Sequence, residues 1–313
     1  TDGINLVAQS WGREHIGGGD VILITYMEHH ANIVPWQMLA KEKGARVEAV
    51  AILEDGTLDE NDFQKKLKLS PKMVAFMHVS NTLGTINDAK RLTRMAKAEG
   101  ATVLIDGSQA LPHMMVDVVD LDCDFYVFSG HKSYGPTGIG VLYGRRAILE
   151  AMKPWRGGGE MIDVVSLENG TTYAGLPHKF EAGTPHISGA IALGVALQWL
   201  TGVGLKNVME HETILSAQAR HQLGKIDGMR FIGSAPLSSG AVSFIVEGVH
   251  PYDLGTLLDQ QGIAVRTGHH CTQPIMDHFD IPGTVRASFG AYNTLQEVDA
   301  LVQGVERALK MLR

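Results

Sequence analysis

The sequence predicts an α/β protein, with a large domain on a mostly parallel sheet followed by a smaller α+β C-terminal domain. In the first two thirds, short apolar runs alternate with longer amphipathic ones. That is the pattern of strand–helix units whose strands are covered on both faces. At 313 residues, 44% hydrophobic and 19% charged, the chain is long and apolar enough for one large core and a second, smaller one.

The elements follow in order. The chain opens at Thr1-Asp2, without Met and inside a helical pattern, so it reads as a fragment or a partial chain. The runs 21–25, 47–52, 73–79, 103–106, 125–128 and 138–143 read as buried strands. A helix is expected over 88–99, closed by Gly100. Arg156-Gly-Gly-Gly159 opens a stretch of little periodicity that continues to about Pro185, a functional loop region or an interdomain passage. Helices over 187–200 and 205–223, then strands over 240–246 and 285–289, make up the second part. Thr294 and Glu297 form a capping box for a last helix, whose apolar stripe is Leu295, Val298, Leu301, Val302, Val305 and Leu309. The expected division is 1–185 for the large domain and 186–313 for a linking helix and the small domain that carries Cys271.

Composition narrows the function. Lys and Arg total 27 against 34 Asp and Glu, a net charge of −7, which argues against broad nucleic-acid binding. Two cysteines, Cys123 and Cys271, are too few for a disulfide framework and point to a reducing compartment. No apolar run has the length of a bilayer span and the first residues do not read as a signal peptide, so the cytoplasm is the expected location.

Four segments carry chemistry. Phe125-Tyr-Val-Phe-Ser-Gly-His-Lys132 ends an apolar run on a lysine just before a glycine-rich turn. Most lysines lie on the surface, but a desolvated one becomes an amine nucleophile of the kind a Schiff base requires. Ser129 and His131 beside it suit a phosphate. In Val103-Leu-Ile-Asp-Gly-Ser-Gln109, Asp106 is either a cap or, paired with such a lysine, the carboxylate that keeps a pyridine nitrogen protonated. Gln109 would then reach the ring's phenolic oxygen. Glu28-His-His30 looks at first like a metal cluster, but adjacent residues rarely ligate one ion together. Stacking of His29 on a cofactor ring explains the segment better than a surface cluster does, and no metal is expected.

The fourth segment is Val265-Arg-Thr-Gly-His-His-Cys-Thr-Gln-Pro274. Free cysteines are mostly buried and inert, yet Cys271 stands in loop chemistry beside two imidazoles, the company that reactive thiols keep. A zinc site of His269, His270 and Cys271 would lack a fourth ligand at sensible spacing. Cys123 reads as a packing residue. Arg266 and Arg286 offer planar forks for a substrate carboxylate, and Arg286 has the better claim because it enters an apolar run.

Taken together, Ser129-Gly-His-Lys132, Asp106-Gly-Ser-Gln109, Glu28-His-His-Ala-Asn-Ile-Val-Pro-Trp36 and Arg266-Thr-Gly-His-His-Cys271 resemble the cysteine desulfurases among the class-V, fold-type I pyridoxal-phosphate enzymes. The SufS type, or group II, is the nearest match, because the segment around Cys271 is short. The likeness runs from Thr1 to the last helix.

The resemblance implies a pyridoxal 5′-phosphate enzyme that converts L-cysteine to L-alanine and supplies sulfur for iron–sulfur assembly. It implies that Lys132 is the Schiff-base lysine, Asp106 the partner of the ring nitrogen, Gln109 that of the phenolic oxygen and His29 the stacking residue. Thr1, Ser129 and His131 would bind the phosphate. Thr184 would reach the phosphate of a neighbouring subunit, hence a homodimer with shared sites. Asn81 and Arg286 would hold the substrate carboxylate, with Arg266 close by, and Cys271 would accept sulfur and pass it to a SufE- or SufU-like protein. Members carry a further N-terminal segment before the point corresponding to Thr1, often Glu where this chain has Asp2, and usually Ala where it has Ser108. The rival activities are a selenocysteine lyase acting on L-selenocysteine, or another class-V aminotransferase or lyase, which would keep Lys132 and Asp106 without needing Cys271. A non-enzymatic module docking a sulfur carrier is a third reading.

Overall fold

In the computed structural model, which describes residues 1–313, two β-sheets carry their own helices and a short hairpin lies between them in sequence. Strands β1 (Val21–Thr25), β2 (Arg46–Val50), β3 (Met73–Met77), β4 (Thr102–Asp106), β5 (Phe125–Ser129) and β6 (Gly140–Gly144) form one sheet, ordered β2-β1-β3-β4-β5-β6. The first five are parallel, and β6 runs antiparallel to β5.

Every residue of β1 and β3 is buried. Side chains alternate across the sheet, so Leu23, Phe76, Val103 and Ile105 fill one apolar layer while Ile22, Ala75, Leu104 and Phe125 fill the other with Trp36. Strands covered on both faces need a continuous apolar run, which is why these were legible. The helix Ala89–Ala98 begins where Asp88 accepts a hydrogen bond from Arg91 N (3.0 Å), and Gly100 follows it at φ 78°.

The stretch expected to be irregular contains a hairpin, β7 (Ile162–Ser166) with β8 (Gly170–Tyr173). Beyond it, β9 (Met229–Ile232), β10 (Ala241–Val246), β11 (Arg266–Gly268) and β12 (Thr284–Ser288) form an antiparallel sheet ordered β11-β12-β10-β9. Helices Leu205–Leu223, Pro251–Asp259 and Leu295–Leu312 close a third apolar cluster over it. The capping box of Thr294 and Glu297 is present, and Val298, Leu301, Val302, Val305 and Leu309 are buried as expected. Leu295 is the exception, since the first turn leaves it exposed. No single helix is long and apolar enough to cross a membrane.

The strand order reverses about β1, whose neighbours are β2 and β3. Ligands in open α/β sheets sit beyond the carboxyl ends of the strands at such a reversal. The second sheet closes over this end. Ser243 Oγ donates to Thr82 O (2.6 Å), and Arg286 Nη1 donates to Asn81 O (2.6 Å).

Candidate active site

Beyond the ends of β1, β4 and β5 lies a cavity of about 180 Å³, lined by Thr1, His29, Ala31, Asp106, Ser108, Ser129, His131 and Lys132. Six of the residues assigned by resemblance to a cofactor thus converge from four separate segments. Gln109 is half-buried one turn beyond Asp106 and does not line the cavity, and Thr184 is exposed. A larger cavity of about 550 Å³, lined in part by Leu58, His78, Asn87 and Met115, shares none of these residues. Convergent polar groups at strand ends, not size, identify the site.

Asp106 is the last residue of β4 and is buried; its Oδ1 accepts from Ser108 N (2.9 Å). Lys132 stands on a turn, Gly130–Lys132, just past the end of β5 rather than at the strand end expected from the sequence. Burial pushes its ammonium below the usual lysine range and nearby Arg286 adds to the fall, while Asp106 and Cys271 oppose it. The amine, the acid, the arginine and the thiol therefore feel one another electrostatically.

His29 begins a short turn, His30–Asn32, where its Nδ1 accepts from Ala31 N (3.0 Å). Burial, and then the charge of Lys132, lower its pKa to about 4, so the ring is neutral at physiological pH.

Glu28 behind it is fully buried. It accepts from Thr25 Oγ1 (2.6 Å), Asn32 Nδ2 (2.7 Å) and Met77 N (3.0 Å), and Asn32 Oδ1 accepts from Trp36 Nε1 (2.9 Å). Burial outweighs these bonds and raises the carboxyl to about 8. This relay went unread in the sequence, although Glu28, Asn32 and Trp36 recur at a spacing of four.

The free, half-buried Cys271 sits between β11 and the helix Gln273–Phe279. It does not line the cavity, but its carbonyl accepts from His30 N (2.8 Å), one residue from His29. His270 and Cys271 both hold left-handed backbone, at φ 51° and 58°. The loop is pinned by Asn81 Nδ2 donating to His270 O (2.9 Å), by the Thr82–Thr272 hydroxyl pair (2.7 Å) and by His270 Nε2 with Thr284 Oγ1 (2.7 Å). The threonine pair and the His270 anchor are not legible in the sequence, since partners so far apart in the chain leave no local signal.

Asn81 is buried and its Oδ1 has no partner, leaving an acceptor for an incoming donor. On β12, burial and then Arg266 lower the Arg286 guanidinium to about 10, so it stays charged near neutrality. Arg266 lies opposite Arg286 in the β11–β12 register but is exposed. Cys123 is buried, and burial pushes its thiol up to about 11, as suits an inert packing residue.

The cysteine desulfurase of Serratia proteamaculans (strain 568) is 50% identical over 312 residues, all of this chain and 77% of that protein. The solved cysteine desulfurase CsdA of Escherichia coli is 42% identical, with a TM-score of 0.95 over 100% of this chain and 77% of that one. The apo cysteine desulfurase of Thermococcus onnurineus NA1 gives 40% identity and a TM-score of 0.95 over 99% and 77% of the two chains. The class-V aminotransferase family matches residues 1–301. With that match nearly end to end, and relatives this similar over the whole chain, the protein belongs to the class-V aminotransferase family.

Proposed function

We propose that this chain is a pyridoxal-phosphate-dependent cysteine desulfurase of the SufS type, which converts L-cysteine to L-alanine and holds the sulfur as a persulfide on Cys271. One observation carries the reading: a free thiol on a pinned loop stands within electrostatic reach of a desolvated lysine that shares a cavity with a buried acid. Relatives bearing the name cysteine desulfurase support it.

The residues fit the cofactor. Thr1, Ser129 and His131 offer hydroxyl and imidazole groups for a phosphate. His29 offers a neutral ring face, Asp106 a buried carboxylate for a pyridinium and Lys132 an amine for an aldehyde, while Gln109, outside the cavity lining, keeps its role toward the phenolic oxygen only by the resemblance. When bound, pyridoxal phosphate supplies an aldehyde for amines and a ring that withdraws electrons from the substrate Cα.

The chain does the rest. Asp106 holds the proton on the ring nitrogen. Arg286 donates to the substrate carboxylate, with Arg266 at the rim, and Asn81 steadies Arg286 by accepting from it through its carbonyl. Lys132 removes the Cα proton, which burial makes feasible by favouring its neutral amine. Cys271 Sγ, as thiolate, attacks the substrate sulfur. The new S–S bond forms as the Cβ–S bond breaks, and the bonding pair stays with Cβ, which takes a proton; Lys132 returns the proton to Cα, and the product leaves as alanine. Neutral His29 exchanges the thiol protons.

An exposed apolar stripe supports a homodimer. Ile187, Ile191, Val195, Trp199 and Val203 recur every four residues along the helix Ile187–Val203, all exposed, beginning three residues after Thr184. In that dimer Thr184 reaches the partner's phosphate site. The large domain, 1–185, and the small domain, 186–313, meet around the thiol. A cytoplasmic role in the SUF system, with a SufE- or SufU-like acceptor, completes the proposal.

The test is a visible spectrum of the purified protein followed by an alanine assay. Cys271→Ser is expected to keep the yellow absorbance and lose persulfide and alanine formation together. Lys132→Ala should lose the borohydride-trappable linkage. Alanine release that survives Cys271→Ser would favour a selenocysteine lyase or another class-V enzyme, and a colourless protein would sink the cofactor assignment.

A further inference from the structure

His29 and His30 are adjacent, yet only His29 lines the cavity. His30 serves the opposite loop. Its backbone N–H donates to Cys271 O (2.8 Å), and its Nε2 accepts from Gln273 N (3.2 Å), so it grips the chain on both sides of Thr272. Its ring stands 5.6 Å from that of His269, whose Nδ1 accepts from Cys271 N (3.2 Å). Both backbone polar groups of Cys271 are thus satisfied by histidines. Two consecutive residues with a Cβ in left-handed backbone, His270 and Cys271, hold that shape only where the surroundings impose it.

We propose that His30 is a positioning residue that clasps the Cys271 loop to the rim of the cavity and so fixes the pose of the thiol. Its consequence for sulfur transfer rests on the desulfurase reading; the clasp itself does not. His30 touches neither cofactor nor substrate and acts through Cys271.

The grip on Gln273 N–H needs Nε2 free of a proton. Burial, and then the imidazole of His269, lower the pKa of His30 from 6.5, so the accepting form prevails at neutral pH. The titratable groups facing it are His29 on its own segment, and His269 and Cys271 on the opposing loop. Protonation converts the acceptor into a donor and opens the side-chain half of the clasp. Both sheets contribute: the segment after β1 supplies the histidine and the loop after β11 supplies the thiol.

The test is iodoacetamide labelling of the two cysteines, read peptide by peptide, in cofactor-loaded and cofactor-free protein. Cys123, 1% exposed, reports any general loosening. His30→Ala should label Cys271 several-fold faster, on the order of three- to tenfold, with Cys123 unchanged and the visible spectrum intact. In the loaded enzyme, kcat for alanine should fall about tenfold, the equivalent of one lost hydrogen bond, with KM nearly constant. His30→Gln keeps an acceptor that does not titrate and should restore slow labelling. The ratio of wild-type to His30→Gln labelling should then rise as pH falls below 6.5. Unchanged Cys271 labelling in His30→Ala, parallel labelling of Cys123, or a pH-independent ratio would each overturn the proposal. If the labelling pattern holds while the wild type makes no alanine, the clasp stands and the desulfurase reading falls.

Discussion

At Glu28 a single side chain ties two strand ends and a turn together. Its oxygens take hydrogen bonds from β1, β3 and the turn that carries His29, with no water-facing surface to relax into. Glu28→Ala leaves Asn32 Nδ2 and Met77 N buried without acceptors, at a cost of about 2–4 kcal/mol. Glu28→Gln keeps the shape and one acceptor and should cost about 1 kcal/mol. Urea denaturation of both variants decides it, and equal losses would contradict the relay. The neighbouring histidines set the acid limit of the fold. Burial is the main cause that holds His29 and His78 to about 4 and His270 to about 3. The unfolded chain takes up protons below 6.5 that the folded one refuses, so stability is present above 6.5 and is lost as pH falls toward 4. Glu28 works the other way: its folded pKa of about 8 lies above 4.5, so its contribution is lost as pH rises between those values. Three histidines outweigh one carboxyl below 6.5, with His78 alone worth on the order of 3 kcal/mol. A melting temperature that is flat from pH 6.5 to pH 4 would refute this.

Among the elements, β4 and β5 make the tightest approach. A Cβ on Gly107 would lie 2.0 Å from the Tyr126 ring, so only glycine lets the residue after Asp106 pass. Gly107→Ala must displace Tyr126, which also meets His78 Nδ1 at 3.1 Å, and will tilt the end of β4. We expect a loss of at least about 2 kcal/mol in stability and weaker cofactor retention, read by titrating the cofactor-free variant with pyridoxal phosphate. The buried strands β1, β3, β4 and β5 were legible because burial on both faces demands unbroken apolar runs. β6 was legible as a strand but not in its direction, since alternation has the same period either way. The hairpin β7–β8 and the strands β9 and β11 were not legible: they are short, exposed in part and rich in polar residues such as Thr171, Thr172, Arg230 and Arg266. Their partners, not their own composition, make them strands.

For the molecule as a whole, the site is a seam. Lys132, Asp106 and His29 belong to the first sheet, Cys271 and Arg286 to the second, and Asn81 joins them by bonding His270 and accepting from Arg286. In the proposed homodimer, the exposed stripe on Ile187–Val203 would extend this outward to a second copy. Replacing Ile191 and Val195 together with Asp should shift the protein from dimer to monomer in sedimentation, with only a small change in the far-ultraviolet circular dichroism. A wild-type monomer at micromolar concentration would dismiss the shared-site reading of Thr184.

Which residues are proposed to do the chemistry can be read from the sequence. The lysine before a glycine-rich turn, the acid closing an apolar run and the cysteine between two imidazoles and a proline are local patterns, because strand ends and loops impose local rules on composition. Only the tertiary structure decided what each of them meets. The proton on Glu28, the neutral ring of His29 and the grip of His30 on the cysteine loop arise from burial and from contacts between segments distant in the chain, and desolvation is a property of the packed whole that no short stretch of residues encodes.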